Sequence, residues 1–124
     1  MEKETKIKVL IVEPTKKPRV AEIENTLAAE QKIVEGYIEA CYPFADEIAI
    51  ICNEEGKLSG MQGNRRLGKD IIAGPFFIVG EDGDEFRSLT DEETKENLKR
   101  FAEPEDISQE EVENAMSAGI MFFG

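Results

Sequence analysis

The sequence predicts an α+β domain with a single mixed β-sheet, a later β-hairpin and two C-terminal helices. Short apolar runs of strand length, separated by turn residues, fill the first two thirds of the chain, and two helix-capping patterns follow them. At 124 residues and 40% apolar composition, the chain can form one domain around one core. We expect the α+β domain to span residues 1–103, with residues 104–124 as a helical extension packed on it.

The first two strands are predicted to form an antiparallel pair. Ile7–Val12 is a β-branched, nearly continuous apolar run, which is typical of a strand buried on both faces. Pro14–Pro18 has the composition of a turn. Arg19–Glu24 alternates loosely between apolar and polar residues, so it should return beside the first strand.

A short helix and two further strands complete the first half of the chain. Asn25 or Thr26 is a candidate N-cap, and Gly36 occupies the position of a helix C-terminal glycine. Tyr37–Tyr42 and Glu47–Cys52 are the next apolar runs of strand length. The resulting ββαββ order resembles the start of a β-grasp.

The two cysteines, Cys41 and Cys52, lie in the third and fourth predicted strands. If these strands form a hairpin that turns near Phe44–Asp46, Cys41 lies opposite about Ile48, roughly four positions or ~13 Å from Cys52. A disulfide cannot span that distance. We therefore expect buried free thiols that act as small hydrophobes, with a redox or metal pair as the alternative.

The stretch Asn53–Gly74 predicts a long loop, since it holds five of the ten glycines. Such loops often carry function, and a small-molecule or anion site is the alternative function for this chain. The candidate ligand residues are Asn53, Asn64, Arg65 and Arg66. The stretch lacks the phosphate-binding pattern Gly-x-x-x-x-Gly-Lys-Ser/Thr, however. Arg65 could instead pair with a carboxylate while Asn64 caps the loop backbone.

A hairpin follows this loop. Pro75–Val79 resumes as a strand, and Glu81–Glu85 makes a turn into Phe86–Leu89. The turn is acidic, but it lacks the spaced ligands and distal Glu of a calcium-binding loop. We expect a solvated turn there and no metal site.

The first C-terminal helix begins with the capping box Thr90–Glu93. Its apolar residues Leu98 and Phe101 are three positions apart and should face the core together. Pro104 then separates the two helices.

The second C-terminal helix begins with another capping box, Ser108–Glu111. Ile107 and Val112 occupy the positions of a hydrophobic staple around it. The chain ends in the apolar run Ile120–Phe123, which we expect to dock on the protein's own core, with another chain as the alternative.

Negative charge is concentrated at the C-terminal end. The net charge is −12, and the last third alone holds fourteen acidic residues against four Lys and Arg. This balance disfavours nucleic acid and anionic membranes as direct partners and favours basic protein surfaces. The sequence contains no apolar run long enough for a membrane span and no signal peptide pattern, so a cytoplasmic protein is expected.

Catalytic chemistry has little support in the sequence. The chain contains no histidine, which removes imidazole acid–base catalysis and the commonest zinc ligand. We therefore predict a protein that is not an enzyme, with no catalytic residues, no metal and no cofactor.

Six motifs in the expected order resemble a bacterial domain family of unknown function, domain family 3846. They cover about Lys6 to Phe101 and comprise Lys6–Pro14, Val34–Glu39, Asn53–Lys57, Asn64-Arg65, Ile72–Gly80 and Ser88–Thr90. The resemblance implies a small domain of phages and conjugative elements, often encoded beside anti-restriction genes and without an assigned activity.

Charge and resemblance together predict a non-enzymatic accessory or counter-defence protein of a mobile element, of the anti-CRISPR or anti-restriction kind. It would bind and inhibit a basic, nucleic-acid-handling host protein such as a CRISPR effector or a restriction enzyme. Carboxylates that share a helix side would act as a partial nucleic-acid mimic. The candidates are Glu92, Glu96 and Glu103 on the first C-terminal helix and Glu110, Glu111 and Glu113 on the second.

Overall fold

The computed structural model describes residues 5–44 and 47–123, with side chains as far as Met116. Eight strands and three helices lie in these ranges. In chain order they are β1 (Lys6–Val12), β2 (Arg19–Glu24), α1 (Leu27–Val34), β3 (Ile38–Cys41), β4 (Ile48–Asn53), β5 (Gly63–Leu67), β6 (Asp70–Ala73), β7 (Phe76–Asp82), β8 (Glu85–Arg87), α2 (Asp91–Arg100) and α3 (Gln109–Phe123).

The strands form a six-stranded sheet and a separate two-stranded sheet. The large sheet has the order β2-β1-β7-β4-β3, with β8 paired to β7, and β5 pairs with β6 in the small one. The α+β class, the ββαββ start, the later hairpin and the two C-terminal helices are confirmed. The structure differs in two respects from the expected single mixed sheet, because every described pairing is antiparallel and β5–β6 forms a separate sheet.

The central strands β1, β4 and β7 are buried on both faces of the large sheet, as the continuous apolar run of β1 predicts. Leu10 and Val12 project into a core that contains Phe101, the C-cap residue of α2, and Ile72 of β6. The β1 residues Ile7, Val9 and Ile11 face a second core that contains Val34 of α1. The sheet therefore separates α1 on one side from α2 and the β5–β6 hairpin on the other.

Helix α1 begins at the predicted cap and ends differently from the prediction. Thr26 Oγ1 accepts a hydrogen bond from the backbone N–H of Ala29. At the other end, Glu35 rather than Gly36 adopts the left-handed conformation, with φ of 64°. Gly36 is needed for space, because a Cβ there would lie 2.6 Å from Nδ2 of Asn53.

The stretch predicted as a long loop contains the β5–β6 hairpin. Its two strands are joined by Gly68 and Lys69, and Gly68 has the positive φ of 63° that this turn requires. Strand β5 lacks the alternation of apolar and polar residues that indicates a strand, because it contains the polar sequence Asn64-Arg65-Arg66. The loop prediction was therefore wrong for residues 63–73.

Helix α3 begins on the small sheet. Ile107 and Val112 are buried against Ile71 and Ala73 of β6, in the positions predicted for the hydrophobic staple. Ser108 Oγ accepts from the backbone N–H of Glu111, which is one half of the predicted capping box. The side chains of residues 117–124 lie outside the described residues, so the docking of Ile120–Phe123 stays a prediction.

Replacing Gly63 by Ala should separate α3 from the small sheet. A Cβ at Gly63 would lie 2.7 Å from Cγ2 of Ile107, so the segment must shift. We expect a loss of ~1–3 kcal/mol in the free energy of unfolding, measured by urea denaturation. Ser59→Ala, at an exposed position, is the control. Equal urea midpoints for the two variants would show that Gly63 and Ile107 are not tightly packed.

Helix α2 is fixed to the sheet by its first turn. Thr90 and Glu93 make both bonds of the predicted capping box, and Glu93 also pairs with Arg87 of β8 at 2.8 Å. As predicted from the sequence, Phe101 is buried in the core and the partly buried Leu98 packs against it.

The Arg87–Glu93 pair should contribute to stability in a pH-dependent way. The hydrogen bond from Arg87 lowers the pKa of Glu93 below its ordinary value of 4.5. The contribution of the Arg87–Glu93 pair to stability is therefore complete above pH 4.5, and it is lost as the pH falls through the pKa of Glu93 in the folded state. In thermal unfolding from neutral pH to about pH 3, Glu93→Gln should lose less stability than the wild type. The exposed neighbour Glu92→Gln should behave as the wild type does.

Candidate functional site

The Arg65 side chain, a predicted ligand residue, is buried within the fold. It is 1% exposed, and its guanidinium donates to the backbone carbonyls of Lys16 and Phe101 at 2.7 and 3.1 Å. It also donates to the carbonyl and the side-chain oxygen of Asn64. Burial lowers the pKa of this guanidinium. Arg65 thus has a structural role, with carbonyl oxygens in place of the suggested carboxylate.

Asn64 and Asn53 are structural residues as well. Asn64 is fully buried, and its Nδ2 donates to the carbonyls of Val12 and Gly74 at 2.9 Å each. Asn53 Nδ2 donates to the carbonyl of Val34 at the end of α1, and its Oδ1 accepts from the N–H of Glu55. These bonds occupy the groups that the loop hypothesis assigns to a ligand.

Arg66 holds two acidic residues that follow α2. Its NH1 donates to Glu105 at 2.9 Å, and its Nε and NH2 donate to the two carboxylate oxygens of Glu111. The backbone N–H of Arg66 also reaches Glu105. The hydrogen bonds from Arg66 lower the pKa of Glu111. We call this arrangement the Arg66 clamp, and it leaves little of the guanidinium for an anion.

The predicted acidic residues do not form the two helix faces that the sequence suggested. Helix α2 ends at Arg100, so Glu103 lies beyond it rather than on it. Glu96 pairs with Arg100 at 3.3 Å, and Glu111 belongs to the Arg66 clamp. The remaining candidates are exposed and form no ion pair with a described basic residue: Glu92, Glu103, Glu110 and Glu113.

The densest acid lies between the helices and on the start of α3. Residues 103–113, which we call the acidic segment, contain six acidic residues and no Lys or Arg. Helix α2 carries four acidic and three basic residues and is therefore close to neutral. Within the acidic segment Glu103, Asp106, Glu110 and Glu113 are exposed, and Asp106 is a member that the sequence analysis missed.

The two cysteines lie closer together than the sequence predicted. Cys41 pairs with Ile50 and Glu39 pairs with Cys52, so the cysteines are offset by two positions instead of four. A slip of two residues keeps the same side chains on the buried face, so the hydrophobic pattern cannot distinguish the two registers. Both thiols are free, with Cys52 buried and Cys41 partly buried.

A cleft of about 210 Å³ opens beside these thiols. Its walls come from β3, β4, the turn after β4, the β5–β6 hairpin and Met116 of α3. The interaction between the two neighbouring thiols lowers the pKa of Cys41 and raises that of Cys52. The cleft therefore combines apolar walls with two neighbouring free thiols.

The sequence matches the model of one protein family, the Domain of unknown function (DUF3846), over residues 7–102. This span is about three quarters of the chain and contains every element from β1 to α2 apart from the first residue of β1. The chain belongs to this family. The acidic segment begins directly after the match, so it extends the family domain. No curated protein and no solved structure matches the chain.

Membrane insertion through a helix has no support in the described part of the chain. No helix there combines the length and the apolar character needed to cross a bilayer.

The same substitution should destabilise the protein much more at Arg65 than at the neighbouring Arg66. Arg65→Met leaves buried carbonyls without donors, so we expect a loss of about 3 kcal/mol or more in the free energy of unfolding. Arg66→Met removes the same charge from an exposed side chain and should shift the urea midpoint much less. Similar shifts for both variants would contradict the structural role of Arg65.

Proposed function

We propose that the protein is a non-enzymatic binding protein whose acidic segment docks on a basic protein surface. The observation that carries this proposal is the acidic segment itself, with six acidic residues, no basic residue and four exposed carboxylates. An electrostatic patch of one sign raises association rates with a surface of the opposite sign.

The Arg66 clamp supports the proposal by ordering this segment before binding. Glu105 and Glu111 are tied to β5, and Ile107 and Val112 are buried on β6. The four exposed carboxylates are therefore carried by a backbone that is fixed at four points. Less conformational entropy is lost on binding when the segment is ordered in advance.

The partner that fits this chemistry is a basic, nucleic-acid-handling protein. Such proteins bind phosphate groups with clusters of Lys and Arg, which exposed carboxylates on a fixed backbone can also engage. The proposed action is inhibition of a host CRISPR effector or restriction enzyme by a protein from a phage or another mobile element, with the acidic segment as a partial nucleic-acid mimic.

The alternative function at residues Asn53, Asn64, Arg65 and Arg66 has less support. Hydrogen bonds to the backbone use the polar side-chain groups of Asn53, Asn64 and Arg65. Arg66 forms ion pairs with Glu105 and Glu111. We therefore favour the acidic segment as the functional surface.

The proposal predicts that neutralising the exposed acid weakens binding. The test variant replaces four residues together: Glu103→Gln, Asp106→Asn, Glu110→Gln and Glu113→Gln. Its matched control removes four exposed charges elsewhere: Glu22→Gln, Glu24→Gln, Glu54→Gln and Asp84→Asn. Wild type and both variants are assayed for binding to, and inhibition of DNA cleavage by, a panel of purified restriction endonucleases and CRISPR effector complexes.

We expect the wild type to bind at least one panel member, with an on-rate that falls as salt is raised. The test variant should lose ~10-fold or more in on-rate, because electrostatic steering contributes by that factor or more. The control should stay close to the wild type. Equal losses in both variants, or no binding by the wild type to the panel, would count against the acidic segment as the site.

A further inference from the structure

Two thiols and a carboxylate meet at the edge of the large sheet. Glu39 and Cys41 are two residues apart on β3, and Cys52 of β4 is the register partner of Glu39. The three side chains therefore project from one face of the sheet. Their ligand atoms, two sulfurs and a carboxylate oxygen, all lie within 4.8 Å of one another.

We propose that Glu39, Cys41 and Cys52 bind one Zn²⁺ ion whose fourth coordination position opens into the adjoining cleft. Zinc binds thiolate at about 2.3 Å and carboxylate at about 2.0–2.2 Å, so a tetrahedral ion needs such ligand atoms about 3.5–3.8 Å apart. The ligand atoms lie within 4.8 Å of one another in the structure. Rotation of the exposed Glu39 and the partly buried Cys41 side chains can bring them to the shorter separations that zinc needs.

The donor set selects zinc over other common ions. Calcium and magnesium require six or more oxygen ligands, and this cluster offers one carboxylate with two sulfurs. Soft thiolate ligands favour zinc or copper(I), and the carboxylate as third ligand favours the divalent ion. Three protein ligands with an open fourth position is the arrangement of zinc sites that bind a further molecule.

The backbone register favours a metal over a disulfide. Cys41 and Cys52 are diagonal neighbours across an antiparallel pair, for which Cβ atoms are typically about 7 Å apart or somewhat less. A disulfide needs a Cβ separation near 3.8 Å, so it would require the strands to slip. A zinc ion bridges sulfurs at a larger separation and leaves the strands in register.

The hydrogen bonds of the two thiols bring both sulfurs to Glu39. The thiol of Cys41 donates to Oε1 of Glu39 at 3.9 Å, and the thiol of Cys52 donates to the backbone carbonyl of Glu39 at 3.7 Å. A bound cation displaces such thiol protons. Lys57 lines the same cleft and pairs with Asp70 across it. That pair adds no net charge to the cleft, so the Zn²⁺ ion itself would offset two of the three negative charges that Cys41, Cys52 and Glu39 present when ionised.

The cleft gives the ion access and limits the solvent around it. Leu67, Ile72 and Met116 contribute apolar walls, and the exposed Glu39 lines the same cleft. An apolar surround controls solvent access to a metal site. A small ligand with an anionic or thiol group is therefore the kind of molecule that the open position would accept.

The test measures metal binding directly on the full chain, kept reduced with a phosphine. Zn²⁺ is titrated against a fluorescent zinc indicator, and Co²⁺ is used as a spectroscopic probe. We expect one ion per chain and a sulfur-to-cobalt charge-transfer absorption. Cys41→Ser should lose about half of that absorption at saturating Co²⁺, because Cys52 remains as one thiolate ligand, and its zinc affinity should fall by at least ~10–100-fold.

The exposed Glu39→Gln tests the third ligand without disturbing the core. It should keep the charge-transfer absorption while its zinc affinity falls ~10-fold or more. Glu22→Gln, an exposed carboxylate on the opposite edge strand β2, is the control and should bind zinc as the wild type does. Zinc binding that is unchanged in Cys41→Ser, equal affinities for Glu39→Gln and the control, or no binding by the wild type at micromolar zinc would each overturn the proposal.

Discussion

The buried guanidinium of Arg65 joins three parts of the fold that are far apart in the sequence. Its acceptors are carbonyl oxygens at Lys16 in the turn after β1, at Asn64 in β5 and at Phe101 at the end of α2. A buried charge costs several kcal/mol unless it is hydrogen-bonded. Because no described buried side-chain nitrogen or oxygen lacks a partner, this cost is met within the fold. The position of the small sheet therefore depends on the other two segments.

Side chains alternate along β5, so the position of the buried Arg65 also fixes the position of its surface neighbour Arg66. Arg65 projects into the interior, so Arg66 projects outward and meets Glu105 and Glu111. One short strand thus orders both the core beneath α2 and the acidic segment above β6. An electrostatic binding surface benefits from such ordering, since its charges keep fixed relative positions.

The two proposed sites belong to different parts of the chain. Glu39, Cys41 and Cys52 lie within residues 7–102, the span that matches the family, and the acidic segment begins at residue 103. The proposed zinc site is therefore a feature of the family domain in this chain, and the acidic surface is a feature of its extension. The small sheet is common to both, because β6 lines the cleft and also packs against α3.

Local interactions made much of the fold predictable. The apolar run of β1, the capping box at Thr90 and the staple of Ile107 with Val112 depend on residues close in sequence, and each was located correctly. The net acidity of residues 103–113 is likewise visible without a structure. What depends on near neighbours or on composition was determined by the sequence itself.

The tertiary structure alone decided the strand register, the small sheet and the role of Arg65. A two-residue slip between β3 and β4 preserves the buried face. The sequence pattern therefore could not show that Cys41 and Cys52 are offset by only two positions. The acceptors of Arg65 at Lys16 and Phe101 are backbone carbonyls, which every residue possesses and no sequence pattern marks. Pairings of this kind are fixed only when distant segments are brought together by packing of the core.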